Sequence, residues 1–262
     1  MSSKKFILGG DINKSLSEGY RFDLKKLFKD GVNITRKNFL PLLTACMFIL
    51  LSLSALFSLV IDETFTLDDP SVILIYFLLA LLVAPPLMTG LMMMGIHHAV
   101  GLKTKSLDLF NYFNIVIKLS LAAMMINLMT NVASMLLEQA LGNLGFSVSI
   151  LVLLYLKMCF CLVYPLIAEK KISPILALKI SFKLVNKNLG QFTQLLMIFC
   201  FLLFIGLLSY GIAFLFIIPF YINVMGIIYR QVCGIGIAVI EKDENDDSTN
   251  GGSGTQNGEF EA

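Results

Sequence analysis

Long apolar stretches separated by short polar segments dominate the chain. A membrane-spanning helix needs about 20 mainly apolar residues, and four stretches meet this length, over 39–61, 71–100, 115–136 and 146–167. A further apolar region, 189–234, would extend about 70 Å as one helix, over twice the thickness of the hydrocarbon. We therefore expect a turn at Ser209-Tyr210-Gly211, with spans over 189–208 and 212–234. The pattern predicts an all-α, polytopic transmembrane helical bundle of six spans.

The polar segments before spans one and five predict amphipathic helices. In each segment, lysines recur on one helix face and apolar residues form a stripe on another. The lysines are Lys25 and Lys29, and Lys179, Lys183 and Lys187; the stripes are Leu24, Leu27, Phe28 and Val32, and Ile175, Leu178, Phe182 and Val185. Such helices lie in the membrane interface, with their lysines near anionic headgroups. The alternative is that they only set the topology of the spans that follow.

The two ends of the chain differ in composition from the membrane domain, which we place over 39–240. Residues 1–38 are polar and basic, and the apolar stretch after them is too long for the core of a signal peptide. We expect that stretch to stay in the protein as span one. Residues 241–262 are acidic, rich in glycine and without apolar period, which predicts a disordered cytoplasmic tail.

Composition agrees with a membrane protein. Hydrophobic residues make up 57% of the chain and charged residues 15%, against about a quarter charged in soluble domains. The net charge of +2 is too small to suggest nucleic acid as a partner. The five cysteines lie in apolar stretches or at their ends, and we interpret them as small, reduced hydrophobes.

Basic residues are distributed unevenly among the polar segments. All but two of the 20 Lys and Arg residues fall in the N-terminal segment, in the links after spans two and four, or on the C-terminal side, at the end of span six or beyond it. The links after spans one, three and five hold none. Because cytoplasmic loops carry the excess of Lys and Arg, we expect both chain ends in the cytoplasm.

The first and last pairs of spans resemble each other, which suggests a parallel internal repeat. The lead-in ranges 29–38 and 179–188 both begin with Lys and end with Asn, and the ranges 86–101 and 219–234 both run from Pro to Gly. Chance similarity is the alternative. The prolines inside these spans are candidate helix breaks, namely Pro85, Pro86 and Pro219.

Lys157 and three asparagines are among the polar side chains that the spans have to accommodate. Lys157 is near the middle of span four, where an ammonium costs about 2.5–3.5 kcal/mol on insertion scales, and the spans hold no Asp or Glu as its counter-ion. One interpretation is an intramembrane polar pocket formed by Lys157, Asn127, Asn131 and Asn223. The other is a lysine hydrogen-bonded between helices.

The sequence carries no catalytic signature. It contains no GxSxG, HExxH or CxxC motif and no Walker loop. His97 and His98 are adjacent and point apart on a helix, with no third ligand at metal-binding spacing. We expect a protein that is not an enzyme and that uses no metal or cofactor.

The segments ILALKISFKLVNKNLGQ and PFYINVMGIIYRQVCG, within 170–234, resemble a group of uncharacterised bacterial inner-membrane proteins. These six-helix proteins are similar to the membrane domain joined to some glycerophosphodiester phosphodiesterases, whose catalytic domain we do not find in this chain. A fainter copy of the pattern covers 24–101. The resemblance implies a bacterial inner (plasma) membrane, and it carries over neither an activity nor a functional residue.

Two functions follow as hypotheses. The first is a non-enzymatic membrane protein that interacts with lipid, organises the envelope or assists the assembly of other membrane proteins. The second is a transporter or permease for a small or lipidic anion, built around Lys157, Asn127 and Asn223. The expected partners are membrane lipids with anionic headgroups, and the sequence does not predict an oligomeric state.

Overall fold

A computed structural model of the chain describes residues 3–60 and 70–240. The link after span one and the predicted disordered tail lie outside these residues. Ten α-helices and two strands make up the described part: β1 (Ser3–Leu8), α1 (Ile12–Ser17), α2 (Leu24–Lys37), α3 (Phe39–Val60), α4 (Pro70–Ala99), α5 (Val116–Leu141), α6 (Gly145–Cys159), α7 (Val163–Lys170), α8 (Pro174–Lys187), α9 (Leu189–Leu208), α10 (Phe214–Cys233) and β2 (Ile235–Ile240).

The predicted six-span helical architecture is confirmed. Six helical segments are long and apolar enough to cross a membrane. The turn between spans five and six lies where we expected it, with Tyr210 and Gly211 both at positive φ. Span three is longer than predicted, because a 3₁₀ helix over Ser106–Ile115 precedes α5 and α5 continues to Leu141.

Span four is broken, and Pro165 explains the position of the break. Proline has no N–H to donate, and its ring clashes with the carbonyl four residues earlier. For Pro165 that residue is Cys161, and the helix is interrupted between Cys159 and Val163. The freed carbonyl of Cys159 accepts a hydrogen bond from Ser181 Oγ at 2.6 Å. A side chain of α8 therefore compensates for the backbone bond that span four loses.

The prolines that we predicted as helix breaks do not interrupt their helices. Helix α4 is continuous through Pro85 and Pro86, and α10 is continuous through Pro219. Membrane helices tolerate proline where neighbouring helices and local adjustments satisfy the freed carbonyls. Thus the prediction of breaks at these three positions is wrong, and the break falls at a proline that we had not considered.

Helices α4 and α10, the second members of the two repeat copies, cross in close contact. An added Cβ on Gly226 would lie 2.2 Å from the Gly95 carbonyl oxygen, and one on Gly95 would lie 2.5 Å from the Ile222 carbonyl oxygen. Small residues allow membrane helices to approach to this distance. Fully buried side chains such as Met94 and Ile227 pack around the crossing. This pair forms the centre of the bundle.

The two lead-in helices have equal lengths but different surroundings. Both α2 and α8 contain 14 residues, and in both copies a single Asn separates the helix from the span that follows. Helix α2 packs on α10, whereas α8 packs mainly on α5, α6 and α7. The repeat therefore holds for local structure, while the copies occupy different positions in the bundle.

An antiparallel pair of strands joins the two ends of the described chain, which the sequence analysis did not predict. Strand β1 pairs with β2 from Ser3 opposite Ile240 to Leu8 opposite Ile235. After β1 the chain crosses the end of α10, where the Gly10 N–H donates to the Arg230 carbonyl at 2.9 Å. Because β1 precedes the first span and β2 follows the sixth, both lie at the same end of the bundle, as an even number of spans requires.

Glu169 makes hydrogen bonds that connect helices and strands at the end of the bundle where β1 and β2 lie. Its carboxylate accepts hydrogen bonds from the Tyr229 hydroxyl and from the Gly236 N–H, each at 3.0 Å. Lys170 Nζ lies 3.0 Å from the same carboxylate and donates to the Gly234 carbonyl at 3.0 Å. The end of α7 is thereby tied to α10 and β2. We call this end, which also carries α1, α2 and α8, the basic end.

Candidate functional site

Helix α8 buries one face against the bundle and leaves the opposite face outside. The buried face comprises Pro174, Ala177, Leu178, Ser181, Leu184 and Val185. The predicted apolar stripe is therefore only half correct, because Ile175 and Phe182 are 53% and 41% exposed. Helix α8 is oriented with Ser181 toward the break in span four. In this orientation Ile175 and Phe182 point away from the bundle.

The outer face of α8 combines apolar and basic side chains. Lys179, Lys183 and Lys187 are exposed there, beside Ile175 and Phe182. At a membrane interface, apolar side chains of this kind enter the acyl-chain boundary while lysine ammonium groups reach the headgroups. The exposed face thus has the composition of a helix that lies on a lipid surface.

A cleft of about 490 Å³ lies between α1 and the outer face of α8. It is lined by Leu16, Phe182, Lys183, Asn186 and Lys187. The cleft is more open than enclosed, so a ligand there would keep part of its surface outside the protein. We call it the α1–α8 cleft.

Hydrogen bonds hold both walls of the α1–α8 cleft. On the α1 side, Ser15 Oγ donates to the Val232 carbonyl at 2.7 Å. On the α8 side, Asn186 Oδ1 accepts from the Tyr155 hydroxyl of α6 at 2.7 Å. Lys187 Nζ bridges the walls by donating to the Ser17 carbonyl at 3.4 Å. Lys183 has no hydrogen bond or ion pair to any described residue, so its ammonium is available to a ligand.

The segment before α2 is attached to the junction of α8 and α9. The Tyr20 hydroxyl donates to the Leu184 carbonyl at 2.7 Å, and Asn188 Nδ2 donates to the Tyr20 carbonyl at 2.9 Å. The Phe22 backbone exchanges two hydrogen bonds with the Gln191 amide. Burial raises the pKa of Tyr20, so its phenol stays a neutral donor. These bonds bring the two lead-in helices to the same end of the bundle.

The lysines of α2 point away from the bundle. Lys25 and Lys29 are exposed, while Leu27, Gly31 and Thr35 form the buried face toward α10. Val32, which we placed in the apolar stripe, is 39% exposed. Helix α2 therefore presents a basic outer face, as α8 does.

Lys157 lies near the end of α6 and is exposed. The residues two positions before and after it, Tyr155 and Cys159, both make hydrogen bonds to α8. Lys157 is therefore at the height of α8 along the bundle. It is also near the middle of the helical segment Gly145–Lys170 that is long and apolar enough to cross a membrane, as we predicted.

The four residues of the predicted polar pocket are not brought together. Lys157 lines a small, mainly apolar cavity between α6, α9 and α10. Asn223 is fully buried on another face of α10. On α5, Asn127 is half-buried and Asn131 is exposed. The sequence identified polar residues in the spans but could not show on which side of each helix they lie.

Asn223 is the centre of a buried polar chain that links four parts of the fold. Its Nδ2 donates to Thr35 Oγ1 of α2, and its Oδ1 is 3.0 Å from His98 Nδ1 of α4. His98 Nε2 is in turn 2.8 Å from Thr104 Oγ1. All four side chains are at most 8% exposed. This polar chain connects α2, α4, α10 and the link after span two.

The donor and acceptor roles in this polar chain can be assigned by starting at Thr35. Thr35 Oγ1 donates to the Gly31 carbonyl at 2.7 Å, so its oxygen must accept from the Asn223 amide. The Asn223 carbonyl oxygen then faces His98 Nδ1, which has to carry a proton. With His98 in its neutral form, Nε2 accepts from the Thr104 hydroxyl. Each of the four side chains has a hydrogen-bond partner in this assignment.

The sequence analysis flagged Asn223 but not its partners. His98 was considered only as a metal ligand, and Thr35 and Thr104 were not singled out. A polar residue in span six and a histidine in span two were visible signals, yet their pairing depends on how α2, α4 and α10 pack. Among the described residues, no group of three or more His, Cys, Asp or Glu side chains is placed to bind a metal ion.

The six apolar segments and the lipid-compatible outer surface define a polytopic integral membrane protein. Comparison of the chain with protein-family models, curated proteins and solved structures finds no match. The resemblance to the bacterial six-helix proteins stays a prediction from the sequence.

Proposed function

We propose that this protein is a non-enzymatic membrane protein that binds anionic phospholipid headgroups through the α1–α8 cleft. The observation that carries the proposal is the juxtaposition of Lys183, Lys187 and Asn186 with Phe182 and Leu16 in that cleft. An anionic headgroup fits the two ammonium groups, while the apolar side chains suit the adjoining glycerol and acyl region. The same contact would anchor the basic end to one leaflet.

Replacement of both cleft lysines tests the proposal. We expect Lys183→Gln with Lys187→Gln to weaken binding of a fluorescent phosphatidylglycerol to the detergent-solubilised full chain by roughly 30-fold. This corresponds to about 1 kcal/mol for each lysine near a headgroup, with a tenfold change per 1.4 kcal/mol. Fluorescence anisotropy at low ionic strength gives the affinity, and salt should reduce the difference.

The matched control is the double variant Lys25→Gln and Lys29→Gln on α2. It removes the same charge from an exposed basic helix, and we expect less than a threefold change. Equal losses in the two double variants would mean that the protein attracts anionic lipid through general charge and has no site in the cleft.

We also propose that the basic end faces the cytoplasm of a bacterium and that the membrane is the inner one. The support is the concentration of Lys and Arg in the segments at that end. A reporter enzyme active only in the periplasm, fused after Ala262, should be inactive, and one active only in the cytoplasm should be active. The reverse pattern would reject this orientation.

Transport of a small or lipidic anion is the competing function. It has less support because Lys157, Asn127 and Asn223 do not line a common pocket. Proteoliposome flux discriminates between the functions: reproducible anion movement that disappears in Lys157→Ala would favour transport over the binding role proposed above.

A further inference from the structure

A second cavity lies on the other side of α6 from the α1–α8 cleft. It has a volume of about 140 Å³ and is bounded by α6, α9 and α10. Its lining residues are apolar apart from Lys157, Tyr221 and Cys161, and they include Phe192, Leu195 and Phe199. Lys157 is exposed, so the cavity borders the outer surface of the bundle. We call it the Lys157 cavity.

Two hydrogen-bond donors of the Lys157 cavity have no partner in the described part of the chain. Neither Lys157 Nζ nor the Tyr221 hydroxyl makes a hydrogen bond or an ion pair there. Tyr221 is positioned by an edge-on contact with Phe199. The two ring centroids are 4.8 Å apart, and the ring planes are inclined at 88° to each other. A cation and a phenol that share an apolar cavity are complementary to a ligand with an anionic acceptor group and a hydrocarbon chain.

The cavity lies at the height of α8 along the bundle, and its access to lipid headgroups rests on the interfacial position proposed for that helix. Tyr155 and Cys159, on either side of Lys157, make hydrogen bonds to α8, and the outer face of α8 has the composition of an interfacial helix. A phosphate at that level would meet Lys157, and the attached acyl chain would run along the apolar wall. The volume is well below the roughly 300–1,000 Å³ of pockets that enclose a whole small molecule, so the cavity accepts part of one chain.

We infer that the Lys157 cavity binds one acyl chain of an anionic phospholipid, whose phosphate is held by Lys157 and Tyr221. This site is separate from the α1–α8 cleft and does not depend on it. It assigns to Lys157 the role of a headgroup ligand at the bundle surface. The charge of the lysine is then balanced by the lipid.

The chain contains no tryptophan, which allows a direct measurement. Phe199→Trp places a single fluorophore in the wall of the cavity, and phospholipids with brominated acyl chains quench tryptophan on contact. In vesicles that contain the full chain, we expect brominated phosphatidylglycerol to quench this tryptophan more strongly than brominated phosphatidylcholine. Adding Lys157→Gln should reduce that preference about fivefold, and adding Tyr221→Phe should reduce it about tenfold.

Phe201→Trp on the same helix is the matched control. Phe201 is 64% exposed on the outside of α9, so both brominated lipids should quench it equally, with or without Lys157→Gln. Because Lys157 is exposed and Tyr221→Phe keeps the aromatic ring, neither change should alter the thermal midpoint by much. A normal midpoint shows that a lost preference reflects lost binding.

Several results would overturn the inference. Equal quenching of Phe199→Trp by the two lipids would remove the headgroup selectivity, and an unchanged preference in Lys157→Gln would remove the role of the lysine. Quenching by a brominated fatty acid alone would assign the cavity to a different ligand. The preference for brominated phosphatidylglycerol should persist when Lys183→Gln and Lys187→Gln are also present. A loss of lipid binding at the α1–α8 cleft is therefore distinguishable from a loss of binding at the Lys157 cavity.

Discussion

Replacing Gly226 with leucine is expected to prevent stable assembly of the bundle. At the crossing of α10 and α4, even a Cβ on Gly226 would lie 2.2 Å from the Gly95 carbonyl oxygen and 2.4 Å from its carbon. Since the opposing atoms belong to the backbone, no rotamer change relieves the clash and the helices have to separate. Overpacking in well-packed cores costs about 1–3 kcal/mol, and we expect a loss above this range because the obstacle is rigid.

The measurement is the thermal midpoint in detergent together with the yield of monodisperse protein. Gly190→Leu is the matched control, because a Cβ at Gly190 meets no atom within 4 Å. We expect that variant to behave like the unchanged protein. A wild-type midpoint for Gly226→Leu would contradict the close approach of α4 and α10.

Replacing Asn223 with leucine is expected to destabilise the protein by about 2 kcal/mol. The change leaves the His98 Nδ1–H without an acceptor in the buried chain that links Thr35, Asn223, His98 and Thr104, and an unsatisfied buried donor costs about 1–3 kcal/mol. The expected value lies within this range because an unfolded chain in a membrane also finds partners for its polar groups. Thr35→Val, which lies at the end of this buried polar chain, should reduce the free energy of unfolding by less than Asn223→Leu does.

Denaturant titration of the detergent-solubilised protein measures this difference. Asn131→Leu is the control, since Asn131 is exposed and its removal should leave the free energy of unfolding nearly unchanged. A double-mutant cycle with Thr35→Val and Asn223→Leu should give a coupling energy between about 0.6 kcal/mol, the average for hydrogen bonds between membrane helices, and about 1.7 kcal/mol, their maximum. Additive effects would show that the two side chains do not interact.

Length and hydropathy predicted the spans because both depend on local sequence. The turn at Tyr210 and Gly211 and the equal lead-in helices followed from the same information. Pro165 could also have been identified, since its effect reaches only four residues back along the chain.

Local sequence patterns did not predict which residues of different helices contact each other. The partners of Asn223 come from α2, α4 and the link after span two, and they become neighbours only when α4 and α10 pack together. The outward rotation of Ile175 and Phe182 likewise depends on where Ser181 finds an acceptor. The sequence therefore indicated which residues needed a polar environment, and the packing determined what that environment is.

The pairing of β1 with β2 sets an order of events during synthesis. Strand β1 leaves the ribosome before any span, but its partner follows the sixth span, so the ribbon can close only after α10 is complete. Until then the first strand has unpaired backbone groups at the membrane surface. Closure of the ribbon would thus mark completion of the six-span bundle, and a chain that stops short of β2 would expose an open strand edge.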